Sequence, residues 1–232
     1  MKTYAVVLGG GSGTRMGVEG NKVLLPLRGI PAIVRAIAPF TGLCAGVIVV
    51  ARDSELALMR QTLAAFGLSK AVLAVVPGGE DRQASVANGV AALPPDAQGV
   101  MVHDGARALV SEAVIRRVLE SMQAYGSGVA AVAVTDTVKR ADAEGWALET
   151  LERAQLRAMQ TPQGFRVEDL RAAHARAERD RFRATDDAAL LEHAGMPVHL
   201  CEGSRENIKL TTLFDLRLAE VILAARDEEA EG

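Results

Sequence analysis

The amino-acid sequence predicts an α/β protein with a doubly wound, mostly parallel, twisted sheet. Short apolar runs alternate with helical patterns along most of the chain, and this alternation is typical of right-handed βαβ units. Several runs are nearly continuous in Val, Ala, Ile and Leu, as expected for strands that are buried on both faces. The chain has 232 residues, of which 49% are hydrophobic, so we expect one domain over residues 1–232.

The apolar runs predict six strands, at residues 3–8, 46–51, 71–76, 99–103, 128–134 and 197–201. Helical patterns lie between or after them, at residues 31–40, 53–66, 81–93, 111–124, 166–178, 185–194 and 212–226. Pro31 suits a first helical turn, and Thr185 before two aspartates has the pattern of an N-cap. Thr212 and Asp215 approximate a capping box, and residues 226–232 are expected to form a frayed acidic tail.

The composition argues against several classes of protein. The net charge is −3 and the pI is about 5.9, whereas a general binder of nucleic acid usually carries a basic face. Cys44 and Cys201 are too few for a disulfide framework or a zinc site, and we expect free thiols in a reducing compartment. No apolar run reaches the ~18 residues of a membrane span, and the N-terminus has no signal-peptide pattern. We therefore expect a cytoplasmic protein.

The first strand runs into a glycine-rich segment, residues 9–17, which contains Arg15 and is followed by Lys22. Glycines let backbone N–H groups approach phosphate oxygens closely, and fixed Arg and Lys side chains add positive charge. Met16 stands where the dinucleotide fingerprint has its third glycine, and Lys22 follows Asn21 instead of the glycine of a P-loop. The segment therefore predicts a polyphosphate site of another kind, in preference to a plain glycine-rich turn.

Polar loops follow three of the predicted strands, at residues 9–22, 77–85 and 104–107. Ligands of doubly wound sheets lie beyond the carboxyl ends of the strands, so we expect these loops to share one site. Asp104 is a natural ligand for Mg²⁺, which prefers one or two carboxylates together with phosphate oxygens and water. His103 is expected to pack beneath the site and not to bind a metal.

The second loop has two interpretations. Glu80 and Ser85 are candidates for reading a base edge, and Arg82 for contacting phosphate or fixing the loop. The same stretch also fits a structural turn in which Asp81 caps the next helix.

The last polar cluster, residues 203–209, precedes the C-terminal helix. Lys209 is a candidate for facing an anion, and Glu206 for helping to hold a metal. A solvated loop is an equally good interpretation of this cluster.

Residues 135–157 interrupt the strand–helix alternation and predict a hairpin about a polar turn. A hairpin outside the main sheet cannot bury itself well, so it often packs on a second subunit. Trp146, the one tryptophan of the chain, lies in this segment, and interfaces favour Trp. The alternative is an ordinary surface excursion.

Taken together, these segments resemble the 2-C-methyl-D-erythritol 4-phosphate cytidylyltransferases of the non-mevalonate isoprenoid pathway, over residues 4–223. Each shared motif is weakly specific alone, but seven in the same order are a strong signal. The motifs are residues 8–17 with Lys22, 77–79 with Arg82 and Ser85, 102–107, 135–140, 161–163, 185–188 and 207–209.

The resemblance implies a Rossmann-like nucleotidyltransferase that joins CTP to 2-C-methyl-D-erythritol 4-phosphate and releases pyrophosphate. It implies Mg²⁺ at Asp104, bridging the CTP phosphates. The residues that it assigns to CTP binding are Gly9, Gly10, Gly11, Ser12, Gly13, Thr14, Arg15, Lys22, Gly79, Glu80, Arg82, Ser85, Asp104, Gly105 and Ala106.

The resemblance also assigns roles in the reaction and in assembly. Arg15 and Lys22 match residues that stabilise the transition state, and Arg153 and Lys209 match catalytic residues that position the methylerythritol phosphate. The substrate contacts implied are Thr137, Arg153, Thr161 and Lys209. The family's homodimers insert the arm, residues 135–157, into the partner's site, so we expect a homodimer with arm exchange.

Three alternatives remain open from the sequence. The nearest is a ribitol 5-phosphate cytidylyltransferase with the same fold and a similar acceptor phosphate. A sugar-1-phosphate or molybdenum-cofactor nucleotidyltransferase would share the first loop but not the later motifs. A catalytically silent nucleotide-binding regulator would tolerate the loss of Arg15, Lys22, Asp104 or Lys209, which this chain retains.

Overall fold

The computed structural model describes residues 1–11 and 20–231. The predicted nucleotide contacts Ser12, Gly13, Thr14 and Arg15 lie outside the described residues. The helices and strands are β1 (Thr3–Leu8), β2 (Pro26–Leu27), β3 (Ile30–Pro31), α1 (Ala32–Ile37), β4 (Val47–Ala51), α2 (Leu56–Ala65), β5 (Val72–Pro77), α3 (Arg82–Ala91), β6 (Gly99–Asp104), α4 (Glu112–Tyr125), β7 (Ser127–Ala133), β8 (Lys139–Ala141), β9 (Ala147–Thr150), β10 (Arg157–Arg166), α5 (Val167–Asp180), α6 (Asp187–His193), β11 (Leu200–Glu202) and α7 (Leu213–Glu231).

Seven of the strands form one mixed sheet in the order β11-β7-β10-β6-β1-β4-β5. Strand β10 runs antiparallel to β6 and β7, while the other neighbouring strands of this sheet pair in parallel. The predicted α/β fold with a mostly parallel sheet is therefore confirmed.

Apolar side chains cover both faces of the sheet, as the unbroken apolar runs predicted. In β1, Val7 packs with the residues of α1, α2, α4 and α7 on one face. Its neighbour Val6 packs on the other face with residues of α3, α5 and α6. Successive side chains of a strand point to opposite faces, so a strand covered by helices on both sides must be apolar at every position.

The predicted parallel strands agree with the structure within one residue at each end, except the last, which is limited to Leu200–Glu202. Strand β10 was not predicted from the sequence, nor were the two-residue strands β2 and β3. The expected frayed tail is wrong, because α7 continues to Glu231. Arg226 holds this helix by donating hydrogen bonds to Glu206 and to the carbonyl oxygen of Leu109.

Two predicted helix caps have different outcomes. The capping box before α7 is confirmed, because the Asp215 N–H donates to Thr212 Oγ1 and the Thr212 N–H donates to Asp215 Oδ2. The predicted N-cap Thr185 is wrong by one residue. Asp186 caps α6 instead, since its carboxylate accepts from the Ala189 N–H at 3.0 Å.

The predicted hairpin in residues 135–157 is confirmed as the two-stranded sheet of β8 and β9. All side chains of these two strands are exposed, and Trp146 between them is 74% exposed. We call residues 135–157 the arm. In the chain it lies between β7 and β10, and its two strands form a sheet separate from the main one.

The structure contains free thiols, as the composition predicted. Cys44 and Cys201 are both free and partly buried, and burial raises the pKa of the Cys44 thiol to about 12. Among residues 1–11 and 20–231, no helix combines the length and the apolar character needed to cross a membrane.

Helix α3 approaches β1 and β4 so closely at Gly89 that a side chain does not fit. A Cβ atom there would lie 2.4 Å from Val6 Cγ1 and 2.9 Å from Val50 Cγ2. We therefore expect Gly89→Ala to lower the free energy of unfolding by about 2 kcal/mol, because overpacking forces backbone shifts. Urea denaturation measures this, with Gly42→Ala as the control because nothing lies within 4 Å of a Cβ at Gly42. Equal stability of the two variants would contradict the packing described.

Candidate functional site

A cavity of about 550 Å³ opens at the carboxyl ends of β1, β4, β5 and β6. Three loops that follow these strands form its wall, as predicted. The predicted site residues that line it are Gly10, Gly11, Lys22, Gly79, Glu80, Arg82, Ser85, Asp104, Ala106 and Lys209.

Asp104 ends β6 and is 8% exposed. Its Oδ2 atom lies 2.7 Å from Lys209 Nζ, and its Oδ1 atom lies 3.6 Å from Arg82 Nε. Burial alone would raise the pKa of Asp104, but the charges of Lys209 and Arg82 outweigh it and bring the pKa to about 2. The carboxylate is therefore ionised at neutral pH, and two cations are held against it.

Arg82 also pairs with a carboxylate behind the cavity wall. Its Nη2 atom donates to Asp187 Oδ2 at 2.8 Å, and Asp187 is fully buried at the start of α6. The backbone N–H groups of Asp187 and Ala188 donate to Gln163 Oε1. The first turn of α6 thus fixes Arg82, which contributes one charge to both carboxylates.

A buried hydrogen-bond chain supports Asp104 from below. The Asp104 N–H donates to Thr161 Oγ1 at 3.0 Å, and the Thr161 hydroxyl lies 3.0 Å from His103 Nδ1. His103 Nε2 lies 3.2 Å from the carbonyl oxygen of Arg107, so this nitrogen carries the proton and donates. Burial lowers the pKa of His103 to about 4, which keeps the ring neutral. His103 packs beneath the site, as predicted.

The loop between β5 and α3 contains the predicted helix cap and also places predicted nucleotide contacts at the cavity, where base reading remains a prediction. Asp81 caps α3 by accepting from the Ala84 N–H at 2.7 Å, while Glu80 and Ser85 line the cavity. Ser85 Oγ accepts from the Gly79 N–H at 3.0 Å. A Cβ at Gly79 would lie 2.4 Å from that of Ala84, so only glycine fits this turn.

Other predicted site residues lie outside the cavity lining. Gly105 is buried, and its N–H donates to the carbonyl oxygen of Leu8. Thr161 is also buried, with its hydroxyl in the chain behind Asp104. Gly9 lies directly behind the lining, and a Cβ there would meet Met59 and Ile33. Their contacts with ligands remain predictions.

The two predicted substrate contacts of the arm are exposed and are not among the described residues of this lining. Thr137 precedes β8, and Arg153 Nη1 donates to the carbonyl oxygen of Thr135. The suggestion that Glu206 helps to hold a metal is wrong, because its carboxylate binds Arg226 of α7 and does not line the cavity.

Arg52 and Asp53 line the cavity but were missed in the sequence. They follow β4 directly, so they occupy the carboxyl end of a central strand. The rule that places ligands beyond these ends was applied to the other three loops and would have found them.

The described residues offer few protein ligands for Mg²⁺. In the part of the chain that the structure describes, no group of three His, Cys, Asp or Glu side chains could hold a metal. Asp104 offers one ionised carboxylate in the cavity that Gly10 and Gly11 also line. Mg²⁺ is commonly held by one or two carboxylates and substrate phosphates, so Asp104 fits a metal that arrives with a nucleotide.

An open α/β sheet with glycines, cations and an ionised carboxylate at the carboxyl ends of its strands is typical of a nucleotide-binding protein. Residues 3–225 match the family of 2-C-methyl-D-erythritol 4-phosphate cytidylyltransferases. The chain belongs to this family.

Curated relatives of that name are similar to this chain over almost their full length. The protein of Pelotomaculum thermopropionicum is 45% identical over 228 residues, which cover 97% of this chain and 95% of that protein. The protein of Geobacillus kaustophilus is 41% identical over 231 residues, with 99% and 100% covered.

Solved structures are similar in fold as well. The cytidylyltransferase of Thermus thermophilus matches with a TM-score of 0.78 and 33% identity, covering 96% of this chain and 98% of that one. The 4-diphosphocytidyl-2C-methyl-D-erythritol synthase of Anaerococcus prevotii matches with a TM-score of 0.80 and 27% identity, with 96% and 98% covered.

The pair of Arg82 and Asp187 gives a stability prediction. Asp187→Ala leaves the guanidinium of Arg82 partly buried without its hydrogen-bonded counter-ion. We expect the free energy of unfolding to fall by about 3 kcal/mol, the usual effect of breaking a buried pair, as measured by urea denaturation. In the control Glu112→Ala, the lost pair with Arg116 is exposed, so the unfolding midpoint should stay unchanged. A similar loss in both variants would argue against a buried pair.

Proposed function

We propose that the protein transfers the cytidylyl group of CTP to 2-C-methyl-D-erythritol 4-phosphate. The products are 4-diphosphocytidyl-2-C-methyl-D-erythritol, an intermediate of isoprenoid biosynthesis, and pyrophosphate. Membership of the family is the observation that carries this proposal. Its geometric support is that most of the predicted CTP contacts line a single cavity.

The reaction needs no nucleophile from the protein. A phosphate oxygen of the acceptor attacks the α-phosphorus of CTP, a new P–O bond forms, and the bond to the β-phosphate oxygen breaks as pyrophosphate leaves. Positioning and charge stabilisation therefore supply the catalysis. Lys22 and Lys209 line the cavity with positive charge, and the role of Arg15 rests on the sequence motif.

Asp104 would hold Mg²⁺ together with the nucleotide phosphates. The ion would supply charge neutralisation on the triphosphate. Arg82 and Lys209 already keep the Asp104 carboxylate ionised, which is the protonation state that a metal requires.

We also infer a homodimer in which the arm of one subunit completes the site of the other. Thr137 and Arg153 belong to the arm, and the described lining of the cavity in the same chain contains no arm residue. The exposed Trp146 and Leu148 give the arm an apolar surface that suits a partner subunit. In this arrangement residues 1–232 act as a single nucleotidyltransferase domain with the arm as a subregion, in the cytoplasm.

The identity of the acceptor, methylerythritol phosphate, is the most specific statement of the proposal. The relatives described above are all named for methylerythritol phosphate, which favours this acceptor over ribitol 5-phosphate. The full-length family match likewise disfavours a sugar-1-phosphate nucleotidyltransferase.

Pyrophosphate release tests the function directly. We expect release only when CTP, Mg²⁺ and 2-C-methyl-D-erythritol 4-phosphate are all present, because the acceptor phosphate is the attacking group. Chelation of the metal should abolish it. Omission of each component is the control, and faster turnover with ribitol 5-phosphate would transfer the assignment to that acceptor.

Subunit complementation tests the arm. Arg153→Ala removes an arm residue, and Lys209→Ala removes a residue of the cavity, so each homodimer should lose at least ~10²-fold in kcat. After subunit exchange, mixed dimers contain one intact site, so part of the activity should return. Exchange is followed with differently tagged subunits. No recovery despite proven exchange would mean that each chain completes its own site.

A further inference from the structure

The Asn21 side chain links Gly9, where the glycine-rich segment begins, to Val23, which follows Lys22. Its Nδ2 group donates to the carbonyl oxygen of Gly9 at 2.5 Å, and its Oδ1 atom accepts from the Val23 N–H at 3.2 Å. The side chain is buried, with 5% of the residue exposed. The second Nδ2 hydrogen is donated to Glu55 Oε2 at 2.7 Å.

Glu55 reaches the same segment by a second route. Its other oxygen, Oε1, lies 3.5 Å from Arg52 Nη1, and Arg52 Nε donates to the carbonyl oxygen of Gly10 at 3.1 Å. The Glu55 side chain is only 16% exposed and lies on the 3-10 turn Asp53–Glu55 after β4. We call Asn21, Arg52 and Glu55 the brace.

The brace holds two consecutive carbonyl oxygens, those of Gly9 and Gly10. In a trans peptide the carbonyl oxygen and the N–H of the next residue point in opposite directions. Fixing these carbonyls towards the brace therefore turns the N–H groups of Gly10 and Gly11 away from it. Both glycines line the cavity, so this orientation suits an anion there.

The brace also fixes the position of the Lys22 side chain. This lysine follows Asn21 directly and is 9% exposed. A Cβ atom at Gly11 would lie 3.4 Å from Lys22 Cε, so the lysine stem runs alongside Gly11. The position of Asn21 therefore decides how the charge of Lys22 and the glycine amides lie relative to each other.

We propose that Glu55 is a positioning residue for the nucleotide, acting mainly through the 2.7 Å bond to Asn21, with the 3.5 Å contact to Arg52 as a weaker addition. It orients the amides of Gly10 and Gly11 and the neighbouring Lys22 towards the triphosphate of CTP. The inference rests on the proposed function for the identity of this ligand. Glu55 is absent from the cavity lining, so its carboxylate acts on the nucleotide only through other residues.

Three substitutions of Glu55 separate its reach from its charge. Glu55→Gln keeps an amide oxygen that accepts from Asn21 and loses only the pairing with Arg52. Glu55→Asp keeps the charge but withdraws the carboxylate by about 1.5 Å, beyond hydrogen-bond distance. Glu55→Ala removes both contacts. Ser54→Ala is the matched control because Ser54 is exposed on the same turn.

Calorimetric titration with CTP, without acceptor, measures the effect. We expect Kd to rise about tenfold in Glu55→Asp and Glu55→Ala, since a bond to a charged group is lost. Glu55→Gln should stay within about threefold of wild type, and Ser54→Ala should be unchanged. Unfolding midpoints are measured alongside, because a purely structural role would follow stability instead of reach. If Glu55→Ala does not fold, the Asp and Gln variants still decide.

Two outcomes would overturn the inference. One is equal CTP affinity in wild type and Glu55→Asp. The other is a loss in Glu55→Gln as large as that in Glu55→Asp. Failure of the proposed function looks different: the wild type would bind no CTP, or would bind CTP without transferring its cytidylyl group to a polyol phosphate.

Discussion

The arrangement of the site depends on the parallel pairing of β1 with β6. In this register Leu8 lies beside Asp104, and the Gly105 N–H donates to the Leu8 carbonyl oxygen at 2.9 Å. The two strands therefore end side by side, and the glycine segment starts next to the carboxylate. A slip by one residue would turn every side chain of a strand to the other face. Tight packing on both faces of the sheet thus fixes the distance between the predicted phosphate-binding edge and the predicted metal ligand.

A carboxylate buried as deeply as Asp104 needs compensation, because an isolated charge in the protein interior is very costly. Lys209 and Arg82 provide it, and Asp187 in turn holds Arg82. These four residues come from distant parts of the sequence, and burial raises the pKa of Asp187 although the charge of Arg82 opposes this shift. The ionised state of Asp104 is therefore a property of the protein itself and does not wait for a bound metal.

The sequence predicted what apolar patterns and glycine spacing encode, and missed what only tertiary contacts decide. Strand β10 contains Pro162 and several polar residues, and proline argues against a central strand. The structure accommodates it because the buried side chains of Gln160, Thr161 and Gln163 find hydrogen-bond partners and the register shifts between Met159 and Gln163. The loops at the cavity were predictable because parallel strands end at one edge. Glu55 was not, since a lone glutamate on a polar turn gives no signal until Asn21 is placed beside it.

A second subunit would explain why the chain carries an arm whose two strands bury no side chain in its own core. A two-stranded hairpin is marginally stable alone, and both strands of this one are exposed on every side chain. A partner subunit that covers Trp146 would compensate for that exposure. If Arg153 then enters the partner's cavity, acceptor binding depends on dimerisation while nucleotide binding does not. The division follows the chain itself, because the predicted nucleotide contacts come from the loops of the sheet and the arm belongs to the insertion between β7 and β10.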